Sequence, residues 1–121
     1  MGSLLPPEAW DAPICYEAMA RRGIQLGHGG LVAIPEGTDW RGLLGHLVSF
    51  MRSESCGKCV PCGLGSREVH AAASGLPDPA AKDRLDRLLE VMAQGSLCAF
   101  GQLTPGPVRQ ILRRLEGLPP C

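Results

Sequence analysis

The chain has 121 residues, 12 Lys or Arg against 12 Asp or Glu, a formal net charge of zero and a hydrophobic fraction of 45%. A neutral chain lacks the electrostatic footprint that holds a phosphate backbone, which argues against a nucleic-acid partner, and the ordinary apolar fraction argues against bulk disorder. No apolar run approaches the roughly 18 residues that span a bilayer, and Leu4-Leu5 is broken at once by Pro6-Pro7, unlike a signal peptide, so a cytoplasmic location is expected.

Residues 1–37 read as a patchwork arm. Asp11 can cap a short helix with Pro13 in its first turn, running to about Arg22 and stopped by Gly23. Gly27-His28-Gly29-Gly30 reads as a tight turn; it precedes an apolar run instead of opening a helix after a strand, so it lacks the context of a dinucleotide fingerprint. Leu31-Val32-Ala33-Ile34, bounded by Gly and Pro, reads as one short strand. A single strand must pair with something outside itself or lie extended, and its edge is an expected docking site.

From residue 38 to 121 the period is helical. Trp40, Leu43, Leu44, Leu47 and Met51 make one stripe, with Thr38 as N-cap. A cysteine-rich loop leads to a second helical stretch from Cys62 to Ala73, ended by Gly75 and Pro77. Asp78-Pro79 is a cap followed by an N1 proline, opening a third helix with Ala81, Leu85, Leu88, Leu89 and Met92 on its apolar face and Gly95 at its close. After a loop carrying Cys98, Thr104-Pro105 repeats the cap signal, and Val108, Ile111, Leu112 and Leu115 stripe a fourth helix. The predicted fold is mainly α: a small four-helix bundle preceded by a short mixed helix and strand arm. The mixed charges along the third and fourth helices read as a solvated face.

Sulfur is the unusual component. The 6 cysteines stand in a chain with 16 Gly and 11 Pro, rich in turns, and with no export signal they read as metal ligands or redox groups rather than disulfides. Cys56-Gly57-Lys58-Cys59-Val60-Pro61-Cys62 is a C-x2-C-x2-C run, a spacing typical of iron-sulfur clusters, whereas structural zinc is usually held by two separated pairs; zinc remains the alternative. A fourth ligand must come from Cys15, Cys98 or Cys121. Cys98 is favoured, because an up-down bundle brings its loop to the same end as the loop after the first helix. Cys15 reads as a small buried hydrophobe and Cys121 as a terminal thiol. Lys58 and Arg52 lie near enough in sequence to offset thiolate charge; His28, His46 and His70 share no ligand spacing and read as structural. No Ser-His-Asp order, paired carboxylates or P-loop is present.

The segment Ser53-Glu54-Ser55-Cys56-Gly57-Lys58-Cys59-Val60-Pro61-Cys62 resembles the ESCGxCxPC motif of the flavin-carrying NADH-binding subunit of respiratory complex I and its relatives in NAD-linked hydrogenases and formate dehydrogenases. Ser96-Leu97-Cys98 through Pro107-Val108 is similar to that family's second motif, SLCxLGxxxPxPV, and Leu26-Gly27-His28-Gly29-Gly30-Leu31-Val32 to its LGSGGxxV segment. Leu103-Thr104-Pro105 leans toward the formate dehydrogenase and hydrogenase branch. The resemblance implies that Cys56, Cys59, Cys62 and Cys98 hold a 4Fe-4S cluster in the helical bundle of residues 38–121. Gly63 replaces the family's usual Arg after the third cysteine, and His28 the Ser of LGSGG.

What the resemblance implies for function is a non-catalytic electron-transfer subunit, relaying single electrons through one cluster inside a larger oxidoreductase complex. Family members are several times longer, and the part that binds flavin mononucleotide and NADH precedes the present region. Neither FMN nor NAD is therefore expected on this chain. Partners would be subunits carrying flavin, molybdenum or tungsten, or further clusters, with the complex cytoplasmic or peripheral to a membrane. Two other readings stay open: the iron-sulfur half of a split NADH dehydrogenase module, and a zinc-binding structural or assembly protein.

Overall fold

A computed structural model describes residues 2–117, so Cys121 lies outside the described residues. After a 3-10 turn at Pro7–Ala9 come α1 (Tyr16–Ala20), α2 (Trp40–Glu54), α3 (Val60–Gly63), α4 (Gly65–Ser74), α5 (Pro79–Gly95), α6 (Ala99–Leu103) and α7 (Pro105–Leu115). The protein is mainly helical. The long elements α2, α4, α5 and α7 correspond to the four predicted helices, while α1, α3 and α6 are one-turn helices, two of which the periodicity did not reveal.

The core lies between those long helices. Leu44, Val48 and Met51 of α2, Val69 and Ala72 of α4, Leu85, Leu89 and Met92 of α5, and Val108, Ile111 and Leu112 of α7 form one buried cluster. Each helix contributes side chains three or four residues apart, the spacing that puts them on one stripe. Val48 was absent from the predicted stripe yet is almost completely sealed, because the buried arc of α2 is wider than a single row. Burial of this kind is worth roughly 1.5–3 kcal/mol for each large side chain. Ion pairs clip the helices together at the surface: Arg84 to Glu68 joins α5 and α4, and Arg109 to Glu90 joins α7 and α5. Lys82 reaches Asp86 at 2.9 Å and Glu116 at 3.2 Å, and these carboxylates raise its pKa.

Helix ends follow the predicted chemistry with corrections. Asp78 Oδ1 accepts from Ala80 N at 3.2 Å and Pro79 opens α5, as the cap-plus-proline signal predicts. For α2 the cap is Asp39, not Thr38: Asp39 Oδ1 accepts from Arg41 N at 3.0 Å, whereas Thr38 Oγ1 donates to the Pro35 carbonyl. Thr104 occupies the N-cap of α7 in a helical conformation and makes no side-chain cap bond, because it also closes α6. The second helical stretch begins earlier than Cys62 and is divided at Leu64 into α3 and α4.

Corrections are larger in the arm. Its helix spans only Tyr16–Ala20 and is capped by Cys15, not Asp11. Gly23 ends it at φ +67°, a conformation favourable to glycine. The Gly27–Gly30 segment is the expected turn, with Gly29 N donating to Leu26 O at 3.2 Å and Gly30 N to His28 Nδ1 at 3.0 Å. The predicted strand at Leu31–Ile34 does not form; among the described residues there is no strand, and Leu31 and Val32 are exposed. The physical reason is the lack of a second strand to accept its backbone hydrogen bonds. Instead, Ala9, Ala12, Met19 and Ile24 make a small second core. The arm is tied to α7 where Leu4 N donates to Gln110 Oε1 at 2.8 Å.

Candidate metal centre

Cysteines occupy equivalent local positions in both cysteine loops. Cys59 is the N-cap of α3 and Cys98 the N-cap of α6, both with extended backbone and neither thiol spent on a cap bond. Helix start after the cysteine aims backbone N–H groups back toward the sulfur, the arrangement that favours a thiolate. Cys62 lies within α3, one turn on, and is buried; it does not open a helix as the sequence suggested. Cys56 and Cys98 are exposed and Cys59 is half-buried.

Two close approaches join the two loops. A Cβ built on Gly95 would meet Pro61 Cγ at 3.0 Å, and one built on Gly101 would meet Cys62 Cβ at 3.0 Å. The Cys59 pKa is lowered, first by the backbone N–H of Leu97 from the second loop; the N–H of Cys62 follows, burial opposes, and the N–H of Cys59 itself and Ser96 add to the lowering. The convergence expected of an up-down bundle is thus present for residues 59–62 and 95–101. Gln102 Nε2 donates to the Ser96 carbonyl at 2.9 Å and braces the second loop.

Gly57 stands at φ +72° and lets the first loop turn back on itself. A Cβ at Gly63 would come within 3.0 Å of Gly57 Cα and 3.1 Å of its carbonyl oxygen. A glycine at 63, where the family usually has Arg, therefore matches a loop drawn tightly against itself.

Two hydroxyls lie by the cysteine loops. Ser55 Oγ is 3.3 Å from Cys62 Sγ and also accepts from Gly57 N at 3.4 Å. Ser96 Oγ is buried and has no hydrogen-bond partner; it is the smallest of the influences that lower the Cys59 pKa. Sequence reasoning passed over both serines. The available signal was positional: each lies one or two residues before a motif cysteine.

The remaining sequence candidates are elsewhere. Lys58 and Arg52 are exposed. His28 serves the turn at Gly30, His46 is exposed and His70 half-buried. Cys15, half-buried, caps α1 and packs less deeply than expected. Among the described residues no three His, Cys, Asp or Glu side chains converge as a single metal ion demands. A cubane asks for something different, since each thiolate meets a separate iron.

Residues 42–117 match the family described as the NADH-ubiquinone oxidoreductase-F iron-sulfur binding region. The chain belongs to this family. Its relatives include the NADP-reducing hydrogenase subunit HndC of Solidesulfovibrio fructosivorans, 32% identical over 111 residues, which cover 88% of this chain and 23% of that protein. The F subunit of NADH-quinone oxidoreductase from Rickettsia felis is 28% identical over 117 residues, 93% of this chain and 28% of that protein; its counterpart from Rickettsia bellii is 29% identical over 118. The chain thus spans about a quarter of the length of the curated relatives it matches. The cofactor of this iron-sulfur region is a 4Fe-4S cluster. The site fits such a group: the donors are soft thiols, N–H groups point at one of them, and the Ser96 hydroxyl is buried without an acceptor.

Among the described residues, no helix is long and apolar enough to cross a membrane.

Proposed function

We propose that Cys56, Cys59, Cys62 and Cys98 hold the 4Fe-4S cluster and that the chain relays single electrons within a larger oxidoreductase. The observation that carries this reading is the close approach of the two cysteine loops, Gly101 against Cys62 and Gly95 against Pro61, which brings the loop of the fourth cysteine to the loop of the first three. The cluster supplies a one-electron store. The protein's part is to keep it in place and partly dry: α3 and α6 start at ligand cysteines, Cys62 is buried, and Pro61 packs against Gly95. Their N–H groups offset the negative charge of the ligated cluster.

A hydrogenase-like or formate dehydrogenase-like parent complex is favoured by Leu103-Thr104-Pro105 and by the similarity to the NADP-reducing hydrogenase subunit. Its other subunits would carry flavin, molybdenum or tungsten, or further clusters. The likeness to the F subunits of NADH-quinone oxidoreductases supports a second reading, the iron-sulfur part of an NADH-oxidising module.

Anaerobic loading with iron and sulfide tests the ligand set. The chain should become brown, bind four irons, and give an EPR signal on reduction with dithionite. Cys98→Ala should lose or degrade the cluster, while Cys15→Ala and Cys121→Ala should keep it; equal iron in all three variants would refute the assignment. Co-purification from the native host identifies the parent complex, and NADH oxidation by the isolated complex would favour the second reading.

A further inference from the structure

Ser55 and Ser96 stand out because helix formation does not account for where their hydroxyls point. Ser55 follows the last turn of α2, and its Oγ accepts the Gly57 N–H at 3.4 Å while lying 3.3 Å from Cys62 Sγ. A hydroxyl has one hydrogen and two lone pairs. With the Gly57 N–H on a lone pair, the hydrogen is free for the sulfur. Ser96 is 4% exposed, and an unpaired hydroxyl at such depth costs free energy unless something accepts from it. Its surroundings point to the cysteines: a Cβ at Gly101 would collide with Ser96 Oγ and sit 3.0 Å from Cys62 Cβ, so the hydroxyl and Cys62 border the same small space.

We propose that Ser55 and Ser96 set the reduction potential of the cluster by donating O–H hydrogen bonds to ligand sulfurs, Ser55 to Cys62 and Ser96 to the ligand sulfur nearest its buried hydroxyl. The proposal rests on the four-cysteine ligand set given above. Its physical basis is charge. One electron, supplied from outside by a reductant such as dithionite, adds negative charge that spreads onto the sulfurs, and an O–H donor stabilises that reduced state more than the oxidised one. Neither proton leaves its oxygen, and no bond to iron or sulfur is made or broken. Both donors therefore raise the potential, and removing either lowers it. Both are positioning residues: they act on the cluster through its ligands. Gly101 and Gln102 support the arrangement, the first by leaving room for Ser96 and the second by holding its carbonyl.

The test is an EPR-monitored redox titration of the full chain, loaded anaerobically with iron and sulfide, for the wild type, Ser55→Ala, Ser55→Thr and Ser96→Ala. Four irons per chain should be retained in each. At a fixed ambient potential, each alanine variant should show at least a threefold lower ratio of reduced to oxidised cluster, a shift of about 28 mV at 59 mV per decade. Ser55→Thr, which keeps the hydroxyl, should titrate with the wild type. Pulsed EPR in deuterated water should also show an exchangeable deuteron at the wild-type cluster that Ser55→Ala loses. If Ser96→Ala sheds iron, the Ser55 pair and the deuteron signal decide. A wild-type potential in Ser55→Ala with four irons in place would overturn the proposal, as would equal shifts in Ser55→Ala and Ser55→Thr. A wild-type chain that takes up no four-iron cluster would instead overturn the ligand set itself, before any serine variant is made.

Discussion

The arm and the helical body bury apolar residues by different means. In the body, Leu44, Met51, Leu85, Leu89 and Met92 come from successive turns of long helices and are almost wholly sealed. In the arm, Ala9, Ala12, Ala18, Met19 and Ile24 are buried, mostly small side chains, while Trp10, Ile14, Tyr16, Leu31 and Val32 stay exposed. The apolar content of the two segments is not what separates them. Period is: a helical repeat places the next apolar residue on the same face, whereas an aperiodic run must find its neighbours across a loop. The cysteine loops belong to the body, where the helix ends that carry them are fixed by a shared core.

Truncation separates the two regions most strongly. Leu89→Ala should destabilise the body by roughly 2–5 kcal/mol, as large-to-small changes at sealed core sites do. Met19→Ala should leave the body's unfolding midpoint much closer to wild type, measured by urea denaturation followed by circular dichroism. The two tryptophans report each side: Trp40 lies under Arg114 with its ring centroid 5.5 Å from the guanidinium carbon, and Trp10 is largely exposed. In Trp10→Phe the remaining fluorescence should follow the body's transition, and in Trp40→Phe it should be readily quenched by acrylamide before any denaturant is added. Similar midpoint losses in Leu89→Ala and Met19→Ala would mean that arm and body fold as one unit.

Smaller effects sharpen the picture inside the body. Gly101→Ala forces a Cβ to within 2.5 Å of Ser96 Cβ and 3.0 Å of Cys62 Cβ; overpacking of this kind costs about 1–3 kcal/mol, and iron uptake should fall with it. Wild-type iron content in Gly101→Ala would show that the second loop yields easily. Removing a cap costs about 1 kcal/mol, so Asp78→Ala and Asp39→Ala should each lower stability by about that much while Thr38→Ala does so less. Thermal unfolding of the three variants ranks them. The smallest effect concerns Lys82, whose pKa its two carboxylates raise. A group whose folded pKa is raised stabilises below its unfolded titration range and loses that contribution as pH climbs through the folded one. Wild-type stability should therefore decline slightly more than that of Lys82→Met at strongly alkaline pH, as surface pairs are weak and screened by solvent.

Legibility differed from residue to residue. The α5 start at Asp78-Pro79, the apolar stripes of α2, α5 and α7, and the C-x2-C-x2-C spacing could all be read, because each depends on residues a few positions apart. The one-turn helices α3 and α6 could not, since four or five residues carry too little period. At Leu31–Ile34 a strand-like composition was misleading: β structure needs a partner, and composition does not say whether one exists. Cap choice between Thr38 and Asp39 turned on one residue of register, which local preference alone does not resolve.

Sequence by itself determined the chemistry available here: four thiols in two motifs, a mainly helical chain and the punctuation that starts and stops its longest helix. Such features follow from covalent spacing and near-neighbour preference, which are the same in any fold. Tertiary structure alone decided that Gly95 meets Pro61, that Gly101 leaves room for Ser96 beside Cys62, and that Ser55 turns its hydroxyl to sulfur. The approach of Gly101 to Cys62 joins segments brought together by the packing of α5 against its neighbours, while Ser55 meets Cys62 within one folded loop; in both, close packing sets which atoms meet to within an ångström.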